Sequence, residues 1–224
     1  MPAIALFCST FINEAEIVSE LSSLTRAQVI NDADVIADAS LKYHVDKNKL
    51  EQALYAKMSV FNQFTMEKER SLAYVKAALA TMMAAKERCI FSGFITQLIP
   101  SRVSHVLKVL VIDSKENRVH RAVAAGMSDK EAKRHIHKND VSAFELTDFL
   151  YKKEAWDPSL YDLVIPVDKN PTSASILKII LENFHKNAVQ KSDASIQAIK
   201  DMALGTQVEL ALLGKGHNVE VAAD

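Results

Sequence analysis

The 224-residue chain predicts an α/β fold, a doubly wound parallel sheet of about five strands with helices on both faces. Three observations carry this. Apolar runs at 2–7, 89–92, 106–112 and 161–165 are short, the look of strands covered on both sides, and 28–30 is a weaker fifth. Stretches with helical spacing lie between them, as the crossovers of a parallel sheet require. Capping and breaking residues punctuate the boundaries. In such a sheet, ligands belong at the carboxyl ends of the strands.

Each element has a local reason. Asn13 precedes Glu14 and Glu16, and Ile17, Val18, Leu21 and Leu24 form one apolar face, so 14–24 reads as a helix capped by Asn13. Segments 32–43 and 47–57 read as short helices, the second behind the cap Asp46. From 65 to 86, Leu72, Val75, Leu79, Met82 and Met83 keep helical spacing with alanines between, which makes one long helix. Its opening residues, Glu67, Lys68, Glu69 and Arg70, read as a solvated charge run, and Met58, Met66, Met82 and Met83 as packing. Ser114 caps a helix that ends at Gly126, and Ser128 with Glu131 forms a capping box for a helix to about Leu150. Asp157-Pro158 breaks the chain before the last strand, and Thr172 caps an amphipathic helix through Ile176, Ile179, Ile180 and Phe184. After Lys191 comes a helix with Ile196, Ile199, Met202, Ala203 and Leu210, then the alternating pair Val219 and Val221. One helix and one strand cannot build a core, so this tail is expected to pack on the main domain or on a partner chain.

Composition narrows the function. Lys and Arg number 27 against 28 Asp and Glu, so no global field favours a nucleic acid polymer or an anionic membrane. No apolar stretch approaches the ~20 residues of a membrane span, and no leader pattern opens the chain, so the expectation is a soluble cytoplasmic protein. Cys8 and Cys89 are expected at opposite ends of neighbouring strands and predict no disulfide. His135 and His137 lie two apart on a helix, which sends their rings to different faces and argues against a shared metal. No Ser-His-Asp or Cys-His arrangement can be assembled from the sequence, and no catalytic residue or metal ligand is assigned.

Residues 118–168 carry a pattern of several parts. Arg118 and Arg121 lead to a Gly126-Met127-Ser128 turn. Glu131-Ala132, Lys138 and Asp140 follow, then Trp156-Asp157-Pro158-Ser159-Leu160-Tyr161-Asp162-Leu163-Val164 runs into the last strand. This pattern resembles the cytidylate kinase-like branch of the nucleoside monophosphate kinases, which are P-loop proteins. With weaker agreement around Phe91-Ser92-Gly93 and before Asp113, the likeness covers 2–185. It implies a three-layer sandwich over 1–190 with a helical lid at about 114–157. The tail, 191–224, resembles the start of a BON domain. The activity that the cytidylate kinase-like resemblance implies is phosphoryl transfer from ATP, with magnesium, to CMP or a related monophosphate.

Three departures fall on that chemistry. No glycine occurs before Gly93, and where the family has its phosphate loop this chain has Phe11, Ile12, Asn13, Glu14, Ala15 and Glu16, bulky and acidic residues in place of bare backbone. A lid arginine of the family is replaced by Ala143, and an asparagine after the last strand by Pro166. The sequence thus reads as a catalytically degenerate relative kept as a regulatory or nucleotide-sensing module, with no firm cofactor. Arg118, Arg121, Arg134 and Lys138, with Asp140 beside them, are candidates for a basic lip that holds a small phosphorylated ligand, as opposed to ordinary solvated helix charge, and Arg102 is a further loop candidate. Two rivals stay open: an active kinase with an atypical donor site that uses ATP, CMP and magnesium, and a ligand-free assembly domain that forms a homodimer or binds a protein partner.

Overall fold

The computed structural model describes residues 2–57, 62–186, 189–217 and 221. Five parallel strands form one sheet in the order β2-β3-β1-β4-β5. They are β1 (Ala3–Cys8), β2 (Gln28–Asn31), β3 (Cys89–Ser92), β4 (Val106–Ile112) and β5 (Leu163–Pro166). The helices are α1 (Glu14–Thr25), α2 (Asp32–Tyr43), α3 (Lys47–Tyr55), α4 (Asn62–Thr65), α5 (Glu67–Ala85), α6 (Lys115–Ala124), α7 (Asp129–Tyr151), α8 (Ser173–Phe184) and α9 (Asp193–Gly214).

β1 is central because all six of its residues are buried. Within that continuous apolar run the pleat still sorts side chains by a period of two. Ala3, Ala5 and Phe7 join the core under α2, α3, α5 and α9, while Ile4, Leu6 and Cys8 join the core that Ile17 and Leu21 of α1 share with Ile176 and Ile180 of α8. Ile4 stands opposite Ile90 on one side and Leu107 on the other. Each such side chain, fully buried, contributes about 1.5–3 kcal/mol.

Most boundaries follow the caps. Asp46, Ser114, Ser128 and Thr172 each accept a bond from the first turn of their helix. Asn13 does not: its amide instead donates to Glu16 at 2.8 Å. Asn31 and Asp34 form a reciprocal capping box that the sequence reading missed, because Asn31 also ends β2. The opening charge run of α5 is not simply solvated. Lys68 is 6 % exposed: its ammonium donates to the Ala56 carbonyl at 3.1 Å and lies over the Phe149 ring, with the long stem buried. Met83 is in the core with Met82 against it, whereas Met66 is the left-handed residue before α5; Met58 lies outside the described residues.

α9 docks on the main sheet through Ala198, Ile199 and Met202, which share a core with α5. Arg70 donates to the Leu213 carbonyl at 3.3 Å, and the buried Ser195 hydroxyl accepts from the His105 backbone N–H at 3.1 Å. The strand expected after α9 is not seen at Val221, and Val219 lies outside the described residues. Cys8 and Cys89 are free and buried, one at the end of β1 and the other at the start of β3. Among the described residues no helix is long and apolar enough to cross a membrane.

Candidate functional site

Four chain segments leave the carboxyl ends of β1, β2, β3 and β4, and their first residues build the floor of the site. After β1 the chain turns through Ser9, Thr10 and Phe11, and Phe11 takes a left-handed backbone (φ 59). Glu14, in the first turn of α1, points inward and accepts a 2.5 Å bond from the Ser92 hydroxyl at the end of β3. Burial raises its carboxyl pKa, the Ser92 bond opposes that, and the neighbouring Asp32 adds to the rise.

Asp32 follows β2 directly. It accepts from the Tyr55 hydroxyl at 2.8 Å and from the backbone N–H groups of Phe94 and Ile95 at 3.1 and 2.9 Å. Burial nevertheless raises its pKa, because desolvation outweighs these bonds. Gly93 makes this geometry available: its φ of 100 suits glycine, and a Cβ there would come within 2.6 Å of both Asp32 carboxylate oxygens. The floor between β1 and β2 is therefore acidic.

On the other side stands the α6–α7 hairpin. Asp113, the residue after β4, accepts from Asn117 Nδ2, the Ser114 N–H and Arg121 at 2.9, 2.7 and 2.5 Å. Burial alone would raise its pKa, but these three bonds and the guanidinium charge win and lower it. Arg121 also donates through Nε to the Phe11 carbonyl at 2.6 Å. Arg118, 5 % exposed, makes a bidentate pair with Asp140 at 2.8 Å on both oxygens and reaches the Thr10 hydroxyl at 3.3 Å.

A cleft of about 760 Å³ opens beside this turn, lined by Phe11, the Gly126-Met127 end of α6, and Glu131, Arg134, His135 and Lys138 of α7. The Phe11 and His135 rings meet edge to face, centroids 5.4 Å apart. Arg134 lies near Glu131, whose carboxyl is held mainly by Ser128, and neither Arg134 nor Lys138 is consumed by an ion pair among the described residues.

The structure thus divides the sequence candidates into three groups. Arg134 and Lys138 share the cleft. Arg118, Arg121 and Asp140 are brought to the same end of the sheet, but paired and not as an open lip: Arg118 with Asp140 and Thr10, its Nε buried without a partner, and Arg121 with Asp113 and the Phe11 carbonyl. Arg102 does not join them: it lies in the turn from Pro100 to Val106 that enters the amino-terminal end of β4, because the buried 3₁₀ turn Phe94–Leu98 has already carried the chain across the sheet. Ala143 is 1 % exposed and packs in the core. His135, read as a surface histidine, is exposed but touches Phe11. Asp32, Ser92, Gly93 and Asp113 were missed as site residues; their signal was position, each at or just after the carboxyl end of a strand.

A five-stranded all-parallel sheet in this order, with helices on both faces and a helical hairpin rooted after β4, defines a doubly wound α/β protein. The chain belongs to the cytidylate kinase-like family, whose model matches residues 14–169. In structure it is similar to an uncharacterized protein from Eubacterium ventriosum ATCC 27560 at 15 % identity, over 81 % of this chain and 98 % of that one, with a TM-score of 0.54. A shikimate kinase from Bacteroides thetaiotaomicron overlaps at 9 % identity over 83 % and 99 %, TM-score 0.47, and a gluconokinase from Sinorhizobium meliloti 1021 at 11 % over 96 % and 98 %, TM-score 0.44. No curated protein sequence matches.

Proposed function

We propose that this chain is a catalytically degenerate member of its family that senses a small phosphorylated ligand without transferring a phosphoryl group. The observation that carries this reading is the inward Glu14 carboxylate, tied to Ser92 in the first turn of α1. A phosphate seated there would need free N–H groups and a positive field at a helix N-terminus. It would meet a carboxylate, with Asp32 behind it. Arg118 and Arg121, which would neutralise a transferring group, are held by Asp140, Asp113 and the Phe11 carbonyl. A magnesium-bound triphosphate does not fit this turn.

The cleft on the hairpin side remains suited to an anion. Arg134 and Lys138 are four residues apart on α7 and share one wall, with the Phe11 and His135 rings beside them. Its volume lies in the range of small-molecule sites. CMP, in a thermal-shift titration without ATP, should raise the melting temperature, and the double variant Arg134→Ala, Lys138→Ala should weaken that binding about tenfold or more. ATP and magnesium should yield no CDP. Phosphoryl transfer at an ordinary turnover would overturn the reading, and absence of any shift with CMP or inorganic phosphate would favour a ligand-free assembly role.

A further inference from the structure

We propose that Phe11 is a built-in latch that fixes the α6–α7 hairpin against the sheet. The ring packs against the hairpin's own small core of Val119, Ala122, Ala132 and Ile136, with Met127 alongside. That core draws from both helices, so one side chain of the β1–α1 turn joins α6 to α7. The backbone reinforces it: the Phe11 carbonyl accepts from Arg121 Nε at 2.6 Å, and the Thr10 hydroxyl next to it accepts from Arg118 at 3.3 Å. Arg121 is anchored in turn on Asp113 at the end of β4, and Arg118 on Asp140 of α7. The ring contact and the Thr10 and Phe11 bonds run between the β1–α1 turn and the hairpin, and the two ion pairs hold the arginines that make them.

Phe11 holds a left-handed backbone, φ 59, that a bulky side chain adopts only when its surroundings compensate. The seated ring and the Arg121 bond are that compensation. Release of the ring would relax the turn and free the hairpin together, which makes two discrete positions instead of a continuum. Phe11 also lines the 760 Å³ cleft, together with Arg134 and Lys138 of α7. An anion held there bridges the turn and the hairpin, so it favours the latched position; this step alone rests on the ligand-sensing reading.

Hydrogen exchange on the full chain without ligand tests the latch. Phe11→Gly removes the ring while relieving the left-handed backbone, so the turn itself keeps its shape. Amides of α6 and of α7 through Ile136 should exchange about tenfold faster, with β1, α5 and α8 unchanged. Arg121→Gln, which keeps the ring and weakens the backbone tie, should give a smaller acceleration in the same segments, and it serves if the glycine variant fails to fold. Unaltered hairpin exchange, or equal acceleration throughout the molecule, overturns the latch. CMP added to the wild-type chain should slow hairpin exchange and should not do so in Phe11→Gly. A hairpin that responds to Phe11→Gly but not to CMP keeps the latch and overturns the ligand-sensing reading.

Discussion

Glu14 shows how one residue can carry opposite consequences for stability and for chemistry. Its folded pKa is raised, by burial first and then by Asp32, so the ionised form is disfavoured in the folded state. Protonation therefore favours folding: Glu14 costs stability at neutral pH, and the cost fades as pH falls through the raised pKa toward the ordinary 4.5. Glu14→Gln keeps an acceptor for Ser92 and removes the charge. Its melting temperature should exceed wild type at pH 7 by an amount worth on the order of 1 kcal/mol, and the two curves should converge near pH 4.5. A variant no more stable than wild type at pH 7 would contradict this. Asp113 has the opposite sign: its lowered pKa contributes stability that is complete above the ordinary 3.8 and is lost as pH falls through the folded value. Gly93→Ala tests the floor from the backbone side. A Cβ 2.6 Å from the Asp32 oxygens, on a φ of 100, should destabilise by about 2 kcal/mol or more in urea unfolding. An unchanged midpoint would show that Asp32 moves aside freely.

Among the elements, local signals were legible and meetings between distant segments were not. Strands β3 and β4 appear at 89–92 and 106–112, where the apolar runs put them, and Ser128 with Glu131 forms its capping box because both partners lie within one helical turn. Glu14 and Ser92 are 78 positions apart, and nothing in either neighbourhood announces their bond. Arg118 and Arg121 were legible as basic residues near the strand ends, but the carboxylates that hold them became visible only when β4 and α7 were placed. α9 was legible as a helix; its seat on α5 was not. That seat includes a polar contact with a pH signature. His105 is buried with Nδ1 2.5 Å from the Ser195 hydroxyl, and burial, then the Lys191 charge, push its pKa down to about 4. The unfolded chain takes up this proton near 6.5 and the folded chain does not. The stabilisation is thus complete above 6.5 and is lost as pH falls toward 4, with a ceiling of about 3 kcal/mol. His105→Gln should flatten that limb of the urea midpoint against pH; parallel limbs in variant and wild type would rule it out.

At the scale of the molecule, the sheet order and the two helical layers place the candidate site at the carboxyl ends of the strands. The fold was readable because a buried parallel sheet writes itself as unalternating apolar strands between helices. The absence of glycine from the turn after β1 was readable directly, since no glycine occurs before Gly93. The latch was not, since its parts come from residues 10–11, 113 and 118–140. The seat of α9 has one more consequence, which concerns the ribosome. All five strands precede α9 in the chain and so leave the exit tunnel before it does, yet Ala198, Ile199 and Met202 close the same apolar layer that Leu79 and Met83 help to form. Until about residue 214 emerges, the nascent chain carries that layer open to its surroundings, a window in which a chaperone would have apolar surface to grip.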